Sequence, residues 1–74
     1  MKRIRNEKLL KDFGNQVRTI RHAKNMTLEA LAEAAGIEYS QVIRVEAGKV
    51  NATLSTIEAI AKGLGVGMGE LFGF

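Results

Sequence analysis

The side chains able to do chemistry in this chain are basic rather than nucleophilic. There is no Cys, one His and one Asp. His22 is the natural base, but Asp12 lies ten residues away on one predicted helix, out of hydrogen-bonding reach. Ser40 and Ser55 have no activating neighbour in sequence. The tail Gly65-Val66-Gly67-Met68-Gly69 has the glycines of a phosphate loop, without the preceding strand or the Lys that such a loop uses. It reads as a tail or a helix cap. No catalytic constellation remains, and no enzyme is expected. A lone His and no Cys also exclude a multi-His or Cys-based metal site within one chain. No metal and no cofactor are expected.

The eleven Lys and Arg are unevenly placed. Residues 1–24 hold Lys2, Arg3, Arg5, Lys8, Lys11, Arg18, Arg21 and Lys24 against Glu7 and Asp12, a balance of +6. The remaining residues hold three basic and six acidic side chains, a balance of −3. A basic segment of this kind is a partner for phosphates, or a solvated helix face. Residues 1–5 read as a loose basic arm. Residues 1–12 are read as arm and helix extension, and 13–74 as the domain.

The elements that would position these charges are helical. Leu10, Phe13, Val17 and Ile20 recur at spacings of three and four, one face of a helix over about 7–24 with Asn6 as its N-cap. Gly14 interrupts it, at a cost of about 1 kcal/mol relative to Ala. Thr27 caps a second helix over 28–35, which Gly36 stops. A third spans about 39–47, stopped by Gly48. Residues 48–54 read as a loop. Ser55 and Glu58 have the spacing of a capping box before Ile57, Ile60, Ala61 and Leu64. A short fifth helix is read around 68–72. No segment keeps a period of two, so no strand is expected. With 46% hydrophobic residues and no staple, stability must come from a helical core, helped by dimerisation. No run approaches the ~20 apolar residues of a membrane span, and the N-terminus lacks a secretory pattern. A cytoplasmic protein without membrane contact is expected.

Residues 28–45 are the most telling stretch. Leu31 and Ala32 share a face of the first short helix, Gly36 permits the reversal, and Val42 and Val45 lie three apart on the second. Two helices joined by a short Gly-containing turn form a unit whose second helix can enter a DNA major groove.

In ordered motifs the chain resembles the phage repressor/Cro-type, Xre-like helix-turn-helix family. The motifs are Phe13-Gly14, Val17 and Arg21; Thr27-Leu28-Glu29-x-Leu31-Ala32; Gly36-Ile37; Val45-Glu46-x-Gly48; Ile57-x-x-Ile60-Ala61; and Leu64-Gly65-Val66. The resemblance spans residues 13–72, about four-fifths of the chain. It implies an all-α, compact five-helix bundle of the lambda repressor-like type. It also implies a transcriptional regulator that binds a palindromic double-stranded DNA operator as a homodimer, with no small-molecule effector. The readings kept beside it are a toxin–antitoxin antitoxin and a protein-interaction module that no longer binds DNA.

By the same resemblance, residues 28–35 are the positioning helix and 39–47 the recognition helix. Tyr39, Ser40 and Arg44 then face the bases. Arg44 suits the paired acceptors of guanine. Gln41 faces the strand backbone or a base. Ile43 meets a thymine methyl or packs on a neighbouring helix. Arg18, Thr27, Lys49 and Asn51 are the phosphate candidates, with Lys2, Arg3 and Arg5 of the arm. Arg21 and Glu46 stand where the family has a structural ion pair. Glu38 brings a negative charge to the mouth of the recognition helix, favourable to the helix and repulsive to phosphate. Phe72 and Phe74 are read as a dimer patch, and Leu71 as core.

Overall fold

A computed structural model describes residues 4–74. Lys2 and Arg3, named above as arm candidates, lie outside the described residues. The architecture is four α-helices and a terminal 3-10 segment: α1 (Glu7–Ala23), α2 (Leu28–Ala35), α3 (Tyr39–Glu46), α4 (Leu54–Leu64) and the 3-10 turn Met68–Phe72. No strand occurs among the described residues. The fold class is the expected one, but the fifth helix is a 3-10 turn, closed by bonds such as Glu70 N–H to Gly67 C=O at 3.1 Å. Glycines at 65, 67, 69 and 73 crowd this end of the chain. They make an α-helical turn expensive in backbone entropy.

The caps explain the boundaries. Leu9 N–H donates to Asn6 Oδ1 at 2.9 Å, and Ala30 N–H to Thr27 Oγ1 at 3.0 Å. Each bond satisfies one of the amides that a helix start leaves unpaired. Gly36 takes the left-handed conformation (φ 69°) and lets Ile37 N–H bond Ala32 C=O at 3.1 Å. α4 corrects the sequence reading. Its cap is Thr53, whose Oγ1 accepts from Thr56 N–H at 3.2 Å, so the helix begins at Leu54. Ser55 is therefore an exposed first-turn residue, and Glu58 lies 4.0 Å from Lys62 one turn on. α1 runs unbroken through Asp12, Phe13 and Gly14.

Val17 of α1, Leu31 of α2, Val42 of α3, Ile60 of α4 and Leu71 of the 3-10 segment are all fully buried. One side chain from each element thus meets in a single core, completed by Phe13, Ala32, Val45, Ile57, Ala61 and Leu64. Gly14 is where α1 and α3 touch most closely. A Cβ there would sit 2.7 Å from Glu46 O and closer still to Val45 O. The residue that weakens α1 as a helix is the one that lets the end of α3 press against it.

Candidate nucleic-acid interface

α3 has two faces. Val42, Val45 and Glu46 are buried, while Tyr39, Ser40, Ile43 and Arg44 are exposed. Tyr39 and Ile43, large side chains with apolar surface, are 44% and 39% exposed at the start and middle of the helix. Arg44 makes no ion pair among the described residues. A helix that presents a tyrosine, a hydroxyl, a branched aliphatic and a free guanidinium on one face carries the chemistry of base-edge contact.

Gln41 is different from its neighbours. It is half-buried, and its Oε1 accepts from Glu38 N–H at 3.3 Å, closing the N-terminal turn of α3. Glu38 itself is the exposed N-cap residue.

The orientation of α3 is held from below by two arginines of α1. Arg21 Nε donates to Glu46 Oε2 at 2.7 Å and its Nη2 to Glu46 Oε1 at 3.0 Å, a two-pronged pair with both residues buried. Its Nη1 donates to Met26 C=O at 2.8 Å, which ties the α1–α2 turn to the same point. The hydrogen bond to Glu46 raises the Arg21 pKa beyond its already strongly basic value, against the opposing effect of burial. With its guanidinium so occupied, Arg21 has no reach toward a ligand. Arg18, a phosphate candidate by sequence, also turns to Glu46. Its Nη2 donates to Glu46 C=O at 3.2 Å and its Nε lies 3.5 Å from Oε1, while the side chain stays about half exposed.

The other phosphate candidates sit at the two ends of the helix-turn-helix unit. Thr27 is exposed at the start of α2, with its hydroxyl oxygen engaged by Ala30 N–H. Lys49 and Asn51 are exposed in the α3–α4 loop. That loop also docks the start of the chain. Arg5 Nη2 donates to Lys49 C=O at 3.0 Å, Asn51 Nδ2 donates to Ile4 C=O at 3.5 Å, and Arg5 pairs with Glu7. The sequence reading missed this clasp, because contacts between residues 4–5 and 49–51 leave no local pattern. It also missed Thr53 and Thr56, although a Thr at an N-cap position is a readable signal.

No described helix is long and apolar enough to cross a membrane, and no described cluster of acidic or His side chains has the makings of a metal site.

Comparison with known proteins agrees with this geometry. A family model described as helix-turn-helix matches residues 17–71. The control protein C.BamHI of Bacillus amyloliquefaciens is 40% identical over 63 residues, covering 84% of this chain and 78% of that protein. The immunity repressor protein of Bacillus phage phi105 is 33% identical over 60 residues, covering 81% of this chain, but the chain spans only 42% of the repressor's length. Among solved structures, the restriction-modification controller protein C.AhdI from Aeromonas hydrophila superposes with a TM-score of 0.86 at 37% identity, covering 88% of this chain and 98% of that one. The chain belongs to the helix-turn-helix family, and is similar within it to phage repressors and restriction-modification controllers.

Proposed function

We propose that the protein is a sequence-specific, double-stranded-DNA-binding transcription regulator that places α3 in the major groove of a palindromic operator as a homodimer. The observation that carries this reading is the two-sided build of α3. Its buried side is locked to α1 through Glu46, while Tyr39, Ser40, Ile43 and Arg44 face outward on a helix of fixed direction. Arg44 supplies the main base contact. Thr27, Lys49, Asn51 and the exposed part of Arg18 meet the phosphates on either side. Arg21 and Glu46 are the ion pair that sets the angle of the helix. The domain proper begins at about residue 13, with 1–12 as arm and helix extension. A regulator of this kind works in the cytoplasm.

The restriction-modification controller reading is favoured over that of a phage repressor. The two controller proteins are 40% and 37% identical to this chain over their matched regions, against 33% for the phi105 repressor. The dimer reading draws on an exposed apolar surface. Leu9, Phe72 and Phe74 are each about half exposed, and Leu9 and Phe72 border a mostly apolar groove of about 80 Å³ that Leu10, Phe13, Ile57 and the polar Asn51 also line.

Selection of bound sequences from random duplex DNA, repeated at two salt concentrations, tests the proposal. A palindromic motif with two equal half-sites is the expected result. If the dimer neutralises about six phosphates, log affinity falls with log salt at a slope of about −5. Enrichment of no motif, together with salt-independent retention, would overturn it.

A further inference from the structure

Residues 4–11 meet residues 48–51 at three points. Arg5 Nη2 donates to Lys49 C=O at 3.0 Å, and Asn51 Nδ2 donates to Ile4 C=O at 3.5 Å. Each segment thus lends one side chain to a carbonyl of the other. The third point is Gly48, which is buried with a φ of 70°; a Cβ there would stand 2.8 Å from Lys11 Cα. Arg5 also donates from Nε to Glu7, so two arms of one planar group are held at once. A lysine ammonium does not reproduce that fork.

The α3–α4 loop has few ties of its own. Lys49 N–H to Arg44 C=O at 2.9 Å closes α3, and Ile57 N–H to Thr53 C=O at 3.0 Å opens α4. Between them, Val50, Asn51 and Ala52 make no backbone–backbone hydrogen bond among the described residues. Val50 and Ala52 are half-buried against the core, which fixes the inner side of the loop. Its outer side, where Lys49 and Asn51 are exposed, is held by residues 4 and 5.

We infer that Arg5 is a positioning residue for DNA binding: it holds the α3–α4 loop in place from the side of α1 and acts on affinity through that loop, without touching DNA itself. The inference rests on the DNA-binding reading above. It takes Arg5 out of the arm's phosphate candidates and gives the extension ahead of residue 13 a task. Glu7 matches the Arg5 charge, and Arg5 Nη2 is spent on a protein carbonyl. A loop held before DNA arrives has less freedom to lose on binding, and that saving is the gain in affinity. An exposed ion pair adds little to stability, so the gain is separable from folding.

Arg5→Ala and Arg5→Lys test this, the first removing the charge and the fork, the second the fork alone. Both full-length variants are checked by thermal melting. Amide hydrogen exchange of Val50, Asn51 and Ala52 is then followed in the free protein, and affinity is measured on the selected operator. Melting is expected to change little. Loop exchange should quicken in both variants, and operator affinity should fall by about three- to tenfold in both, with the selected motif the same. Affinity thus follows the order of the loop and not the charge at residue 5. Arg5→Lys binding as well as the unsubstituted protein while its loop exchanges fast would overturn the inference and make Arg5 a direct charge contact. Unchanged affinity in Arg5→Ala, or unchanged loop exchange, would overturn it as well. Each of these results leaves the DNA-binding reading standing. That reading fails, and this inference with it, only if the unsubstituted protein binds no duplex.

Discussion

Arg21 and Arg44 carry the same guanidinium to opposite ends of one task. Arg21 is buried against Glu46 and sets the angle of α3; Arg44 stands outside on the helix so positioned. Their substitutions should therefore separate. Arg21→Ala leaves the buried Glu46 carboxylate with only the longer contact from Arg18 at 3.5 Å, a loss of up to about 3–5 kcal/mol, read as a large drop in melting temperature. Arg44→Ala should leave melting unchanged and relax preference at one base pair per half-site by about 1–3 kcal/mol, read in sequence selection. The Arg21 pKa is raised in the fold, so its contribution is fully present below the unfolded value and is lost only as pH rises through the folded one. Because both lie in the strongly basic range, this group makes stability neither rise nor fall between pH 5 and 9. Glu46 shows what residue types leave unsaid. A Glu on a short helix reads as surface, and its burial follows from two arginines that arrive from 25 and 28 residues away.

At the scale of the elements, α1 and α3 are joined by an absence. Gly14 has no side chain where the carbonyls of Val45 and Glu46 cross α1. Gly14→Ala improves helix propensity by about 1 kcal/mol in isolation, yet drives a Cβ into backbone that cannot move aside. The net expectation is destabilisation by about 1–3 kcal/mol in denaturant melts, with weaker operator binding because the end of α3 is displaced. The start of α4 shows the limit of local signals. Ser55 with Glu58 and Thr53 with Thr56 are both plausible starts in sequence. The second is used, and it brings Thr56 beside Gln41, where α3 and the start of α4 border a shallow cleft. The periodic faces of α1, α2 and α4 were legible because each apolar stripe has only one core to face. The ends were less so, since caps compete over one or two residues.

At the scale of the whole molecule, the dimer proposed above needs a surface, and the aromatic end of the chain offers one. Phe72 packs on Phe13 with ring centroids 5.2 Å apart, and Phe74 lies 6.4 Å beyond it. Phe74 is thus the outer member of an aromatic row that begins in the core. Phe74→Asp should shift the dimer–monomer equilibrium toward monomer in sedimentation experiments at micromolar concentration. Operator affinity should fall with it, because two half-sites are then bound without the gain of linkage. Melting of the monomer should change little, since Leu71 rather than Phe74 closes the core. A protein that remains dimeric after this change would place the interface elsewhere.

What the sequence determined by itself was the all-helical class, the turn at Gly36 and the residue types available to the exposed face of α3. These follow from periodicity, from glycine's access to positive φ and from residue inventory, all of which act over a few residues or none. The tertiary structure alone decided which polar groups were already spent. It turned Arg18 toward Glu46, tied Arg5 and Asn51 into a clasp at the α3–α4 loop, and opened a cleft between α3 and α4. A side chain's type says what it can bond. Only the packing of elements distant in sequence says which of those bonds are left for DNA.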